Sequence, residues 1–374
     1  MNFLIVSHAI HKDHRGEIYS YSPYVREMNL WLKFVDRCTV VAPSSEAPVS
    51  KIEMAYKHSD FRLKGVSPIQ FTSLATSLRS LIKMPYLFII LFQEMRQADH
   101  IHLRCPGNMG LLGCLVQVFF PKTPKTAKYA GNWDPQSKQP LSYRFQKWIL
   151  SNTFFTKNMQ VLVYGDWESR SANIKPFFTA SFTAAEKIKP LTRDYTQTLH
   201  FLFVGSLVSG KRPLYSIQLV EQLNHLGYQV TLDVYGDGVL RAELQDYINQ
   251  KQLENVVSLH GNHDLDIIKG QLQSAHFLLL PSKSEGWPKA IAEAMFFGTI
   301  PIATPVSCVP YMLDKGNRGL LISGNIKEDI KQITTALKNH DRLLDKADRA
   351  AAWSQTYTIE RFEEEIIKLL RSTN

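Results

Sequence analysis

Cysteine is scarce in this 374-residue chain. The four present, Cys38, Cys105, Cys114 and Cys308, stand far apart in sequence and form no CxxC pair, which argues against a zinc site and a disulfide framework. Buried reduced thiols are the expectation. No apolar run reaches the roughly 18 residues that a membrane span needs, and the start "MNFLIVSHAI" lacks the basic region and cleavage pattern of a signal peptide. A cytoplasmic location is therefore expected. There is no short-period repeat, no low-complexity segment, no Walker loop and no GxGxxG fingerprint.

What is present fits two packed α/β domains, because 374 residues at 44% apolar content exceed one ordinary core. Charge is divided unevenly. Residues 1–190 carry 24 Lys and Arg against 13 Asp and Glu, whereas residues 191–374 carry 19 against 21, so the net +9 belongs to the first half. That suits an anionic acceptor or peripheral contact with the inner face of a membrane, or simply a solvated basic face. Nothing interleaves aromatics with a basic block, so nucleic acid is not expected as a partner.

The first half offers the β-rich runs "NFLIVS", "CTVVAP", "HIHLRC", "KTAKYAG" and "MQVLVYG", separated by stretches of helical spacing. The second half repeats the alternation with "HFLFVGSL", "VTLDVYG", "VVSLHG", "HFLLLPS" and "IPIATP". Both halves read as Rossmann-like parallel sheets, spanning residues 1–190 and 198–355, with "EKIKPLTRDYTQT" as linker. Residues 356–374 form an amphipathic helix that could pack back on the first domain.

In such sheets ligands bind beyond the carboxyl ends of the strands. There the stretch "PSKSEGWPKAIAEAMFFG" puts Glu285 in a loop and Glu293 in the second turn of a helix that Pro288 opens and Gly298 ends. A helix N-terminus attracts phosphate, so carboxylates beside it need another task. Accepting hydrogen bonds from sugar hydroxyls is that task, with Glu293 suited to a nucleotide ribose, Glu285 to a transferred sugar, and Lys289 offsetting the charge. The plain alternative is a solvated Glu285 and a Glu293–Lys289 surface pair. The loop "FVGSLVSGKRP" supplies Gly205, Gly210, Lys211 and Arg212 as a phosphate holder, and Gly236 and Gly238 in "VYGDG" read as a structural turn.

In order and spacing, "FVGSLVSGKRP", "LDVYGDG", "VSLHGN", "LLLPSKSEGWPKAIAEAMFFGTIPIAT" and "GNRGLLI" resemble the donor domain of the retaining group-1 glycosyltransferases, family 4, of the GT-B fold, over about residues 200–322. The resemblance implies two Rossmann-like domains facing across a cleft and sugar transfer from a nucleotide-diphosphate sugar to a saccharide or lipid-linked hydroxyl, in polysaccharide, lipopolysaccharide or glycolipid assembly. It implies retention by front-face attack, no metal, and no cofactor beyond the donor substrate. By the family's pattern Glu293 binds ribose, Glu285 and the turn of Gly286, Trp287 and Lys289 hold the donor sugar, and Lys211, with Gly205 behind it, meets the diphosphate.

The chain also departs from that pattern. Ser206 stands where the family often has Arg, so Arg212 is the substitute candidate, and the first half has "HAIHKDHRGEIYSYSPY" with only Gly16 where a Gly-Gly pair is common. In place of the family's histidine near the donor sugar the loop "KYAGNWDPQ" offers Asn132, Trp133 or Asp134. His8, His11, Asp13 and His14 could suggest a metal cluster, but loop spacing of three sets no tetrahedral geometry, and acceptor binding, as by His14, is the other use. An inverting enzyme would take Asp134 or His14 as base. The apolar "LIKMPYLFIILF", between Arg79, Lys83 and Arg96, reads as a buried helix interrupted near Pro85, with a membrane-surface role as the alternative. Other classes remain: a GT-B-type nucleotide-sugar isomerase or epimerase, a noncatalytic nucleotide-sugar-binding protein, and a nicotinamide oxidoreductase, which the missing fingerprint disfavours.

Overall fold

Six consecutive buried residues, His100–Cys105, form the middle strand of the first sheet in the computed structural model, which describes residues 1–50, 52–69, 73–168 and 171–371. Burial on both faces is what a parallel sheet covered by helices demands. The seven strands run Ile174–Phe177, Met159–Tyr164, Lys125–Tyr129, His100–Cys105, Asn2–Val6, Arg37–Pro43 and Phe61–Val66 across the sheet, all parallel. The second sheet runs Val257–Gly261, Val230–Tyr235, Leu199–Val204, Phe277–Leu280, Ile300–Ala303 and Leu320–Leu321, again all parallel. Numbered along the chain within each sheet, both begin 3-2-1-4-5-6, the doubly wound order that leaves a switch point between the first and fourth strands.

Every expected strand is present. The unannounced ones, Phe61–Val66, Ile174–Phe177 and Leu320–Leu321, all lie at sheet edges, where the signal of a continuous apolar run fails. A small antiparallel sheet of Lys12–His14, Glu17–Tyr21 and Glu53–Ala55 was also not foreseen. Its first turn puts both Arg15 and Gly16 at positive φ, 57° and 82°, as a tight hairpin requires. The four cysteines are buried thiols, and Cys105 and Cys114 approach to 3.9 Å between sulfurs.

The helix expected to be interrupted near Pro85 instead runs unbroken over Leu74–Arg96. Pro85 is exposed, so water can serve the carbonyl that its missing N–H leaves. Only one side of the helix is covered. Leu87, Ile90, Leu91 and Met95 enter the core, while other apolar residues of the helix remain exposed.

The chain divides into one unit of Met1–Phe178 plus the residues from Phe362 on, and a second unit of Thr179–Arg361. The first boundary thus falls before the expected residue 190, and the reason is visible in the supposed linker. Arg193 is buried and is bonded by backbone carbonyls; its Nε donates to that of Ala275 at 2.5 Å and its Nη2 to those of Gln273 at 3.1 Å and Phe297 at 3.0 Å. It closes the carboxyl ends of the helices Leu265–Ser274 and Lys289–Phe296. A lysine cannot reproduce that fork. Arg193→Lys is expected to cost about 2 kcal/mol, measured by urea unfolding; a loss below about 0.5 kcal/mol would mean that these bonds contribute nothing net.

The last helix, Ile359–Arg371, belongs to the first unit from Phe362, whose buried ring lies 5.3 Å from that of Phe177 and 5.6 Å from that of Phe178.

Candidate functional site

At the switch point of the second sheet the strand Leu199–Val204 ends in the loop Gly205–Arg212, and Phe277–Leu280 ends in the loop that carries Glu285. The two loops are tied, since the Lys283 N–H donates to the Gly210 carbonyl at 2.8 Å. The first loop is also an extension of the sheet: Gly205 N–H meets the Tyr235 carbonyl and Leu207 N–H the Asp237 carbonyl, both at 2.9 Å. Lys211 then turns back, its N–H on the Val208 carbonyl at 2.9 Å, and Pro213 opens the helix Pro213–His225.

Lys211 and Glu285 meet. The Lys211 Nζ lies 2.6 Å from Glu285 Oε1 and 2.8 Å from Oε2, with the carboxylate side chain only 7% exposed and the lysine 29%. A buried carboxylate needs such a partner. Arg212 goes elsewhere. Its left-handed backbone, at φ 53°, sends the guanidinium over the Tyr215 ring at 4.1 Å and towards the Gly324 carbonyl, while the Tyr215 hydroxyl donates to buried Asp329 at 2.5 Å. The aromatic stack and the carbonyl hold it there.

The turn after Glu285 is built by packing. The Gly286 carbonyl accepts from Cys308 Sγ at 3.0 Å and Ser307 Oγ at 3.3 Å. The Trp287 indole is buried, stacked on Trp353 at 6.1 Å and edge-on to Tyr357 at 5.8 Å. Its ring is thus committed to the domain core. Pro288 sits one place before the helix, which begins at Lys289. Four residues on, Glu293 Oε1 accepts from the Ser181 hydroxyl at 2.5 Å, and the two line a narrow cavity with Phe182, Lys289 and Tyr357. Sequence reading had no access to Ser181. It stands 112 residues before Glu293 in "TASFT", a stretch with no motif.

In the first unit Asn132 and Asp134 lie beyond the carboxyl end of Lys125–Tyr129 and shape their own loop. The Asp134 N–H donates to Asn132 Oδ1 at 2.8 Å, Asp134 Oδ1 accepts from Gln136 N–H at 2.8 Å, and the Asp134 carbonyl accepts from Lys147 Nζ at 3.1 Å. Trp133 between them is buried edge-on against Tyr129, 4.8 Å away. At this sheet's switch point the His8 ring lies against Gly107, close enough that a Cβ there would sit 3.1 Å from Nδ1.

The histidine run does not converge. His11 turns inward, Nδ1 2.8 Å from the Ala9 carbonyl and Nε2 2.8 Å from the Tyr56 hydroxyl, and burial draws its pKa down to about 4. Because a carbonyl only accepts, Nδ1 carries the proton and Nε2 accepts from Tyr56. His14 stands on the exposed hairpin with its ring near Tyr19. Among the described residues no three His, Cys, Asp or Glu side chains gather as a metal set.

Known proteins resemble this chain in sequence over its second half and in fold over its whole length. Residues 185–356 match the family of glycosyl transferases group 1. The putative colanic acid biosynthesis glycosyltransferase WcaL of Salmonella typhimurium is 28% identical over 151 residues, which is 39% of this chain and 36% of that protein. The chain thus spans less than half the length of the first curated relatives it matches. Among solved structures, Anabaena HepE in complex with UDP and glucose superposes with a TM-score of 0.68 over 99% of both chains at 16% identity. WaaG, a glycosyltransferase involved in lipopolysaccharide biosynthesis, does so at 0.64 over 99% of both at 15% identity.

Proposed function

We propose, on the premise that residues 185–356 belong to the group 1 glycosyl transferases and that the fold is GT-B, that this chain transfers a sugar from a nucleotide-diphosphate sugar to a hydroxyl acceptor, with retention and without a metal. The observation that carries the reading is Lys211 and Glu285 paired at the switch point, one loop from Glu293. Lys211 is the one of the two candidate phosphate cations left at the loop, since Arg212 is held on Tyr215.

In this reading the diphosphate enters at the Gly205–Lys211 loop and competes with Glu285 for the ammonium. Released, Glu285 accepts from hydroxyls of the donor sugar, and backbone groups of the Gly286–Lys289 turn complete that contact. Glu293 exchanges its Ser181 hydroxyl for those of the ribose. As the anomeric C–O bond breaks, Lys211 carries the charge that grows on the leaving phosphate oxygen, and that oxygen takes the acceptor proton. The acceptor is assigned to the first unit, with Asp134 and His14 as its polar contacts and Asn132 in the role of the family's histidine. Colanic acid and lipopolysaccharide biosynthesis, named for two of the similar proteins, make a saccharide or lipid-linked saccharide the acceptor class to test.

The test is a thermal-shift panel of UDP, GDP, ADP and CDP with their common sugars, with and without magnesium. One nucleotide family is expected to stabilise the protein regardless of metal, and Glu293→Gln to weaken that binding roughly tenfold, the equivalent of about 1.4 kcal/mol. No shift with any nucleotide would remove the donor site. Release of nucleoside diphosphate only when acceptor is added separates transfer from isomerisation.

A further inference from the structure

The helix Leu74–Arg96 has an outward face that does not suit water. Leu78, Leu81, Ile82, Tyr86 and Ile89 are each between 53% and 71% exposed, and three of them, Leu78, Ile82 and Tyr86, follow one another at steps of four. Scattered single apolar residues are ordinary on a surface, but a stripe on one helix is not. Exposed Phe119 extends it, its ring 5.9 Å from Phe88 and 6.1 Å from Phe92 of the same helix.

A second stripe stands in the same layer. In the helix Leu141–Ser151, Leu141, Phe145 and Trp148 occupy positions i, i+4 and i+7, all exposed, with exposed Phe154 just beyond. Both helices pack on Asn108–Val116, and both feed the same core on one side of the first sheet. Their outward faces therefore belong to one layer.

Cations are distributed among these residues. Arg79, Lys83, Lys122, Lys138, Arg144 and Lys157 are all exposed, and Asp134 is the one acidic residue of the stretch 117–158. Protein interfaces exclude lysine from their centres. Aromatic rings and aliphatic side chains interspersed with Lys and Arg are instead the composition of a face that lies in the headgroup region of a bilayer.

We infer that this outward helix face docks the first unit on an anionic lipid surface, with Leu78, Ile82 and Trp148 inserted at the boundary of headgroups and acyl chains and the cations on lipid phosphates. The residues of this face belong to the first unit and the donor-site residues to the second, so either assignment can fail without the other.

The experiment is sedimentation of the full chain with vesicles of phosphatidylcholine alone or with about one-third phosphatidylglycerol. Binding is expected to be at least roughly tenfold stronger on the anionic vesicles and to be lost between about 0.1 and 0.5 M salt. Ile82→Asp with Trp148→Asp should abolish it. A second variant, Arg79, Lys83 and Arg144 all to Gln, should lower it roughly tenfold, since no apolar group is touched. An unchanged thermal-unfolding midpoint certifies each variant as folded. Absence of binding, equal binding to both vesicles, or a dimer in light scattering that the Asp variant dissolves would overturn the inference, the last in favour of a second copy of the chain.

Discussion

Lys211→Ala is expected to slow sugar transfer by about a hundred- to a thousandfold. The Lys211 ammonium lies at the switch-point loop, and the charge it would meet develops as the diphosphate departs. Interactions that strengthen in that way act on turnover more than on affinity. A second signature separates this role from a structural one. In the free protein the same ammonium bonds both carboxylate oxygens of Glu285, whose side chain is 7% exposed, so removing it should also cost about 1–3 kcal/mol of stability. Adding Glu285→Gln to Lys211→Ala removes the unpaired charge and should restore the melting temperature, which identifies the stability cost as that of the stranded carboxylate. Glu285→Gln alone frees the lysine, so nucleoside diphosphate should bind more tightly even as transfer slows. Turnover within about threefold of the parent in Lys211→Ala would sink the assignment, because less than about 0.7 kcal/mol of barrier would then be involved.

The second large effect needs no ligand. Gly236→Ala is expected to cost more than about 4 kcal/mol and to lower the melting temperature accordingly. A Cβ at this position would sit 2.0 Å from the Gly205 carbonyl oxygen and 2.8 Å from its carbon, with φ already at +137°. Both obstacles are backbone, so no side-chain rotation relieves them. To make room the Gly205 loop would have to leave the Tyr235 and Asp237 carbonyls, and with it would move the segment that aims Lys211. Gly270→Ala is the control, in the helix Leu265–Ser274 with nothing within 4 Å of the added carbon. It should be neutral or slightly stabilising. A cost below about 1 kcal/mol for Gly236→Ala would mean that the two loops are not as closely bound as their hydrogen bonds indicate.

The second sheet was legible because buried parallel strands appear in sequence as unbroken apolar runs, and "HFLLLPS" or "IPIATP" allow little else. The glycine turn at Gly236 and Gly238 was legible as a structural element for the same reason, a strand that stops abruptly. Edge strands were not, since Phe61–Val66 alternates burial with exposure and carries Arg62, Lys64 and Gly65. Side-chain destinations were least legible of all. Arg212 sits beside Lys211 in sequence, and only its left-handed backbone sends it to Tyr215. Trp287 was expected at the donor sugar because of its turn, but its stacking partner Trp353 lies 66 residues later, a distance no local pattern spans. The helix Leu74–Arg96 shows a different limit. Periodicity identifies an apolar helix without telling which part of it the rest of the protein covers.

Phe362 packs with Phe177 and Phe178, yet the whole of the second unit lies between them in the chain. During synthesis the ribosome therefore delivers most of the first unit early and its closing residues only after the second unit has been translated. The second unit is one continuous stretch, and its last residue is synthesised before the last aromatic contact of the first unit, at Phe362, can form. Order of translation and order of completion are reversed in this chain.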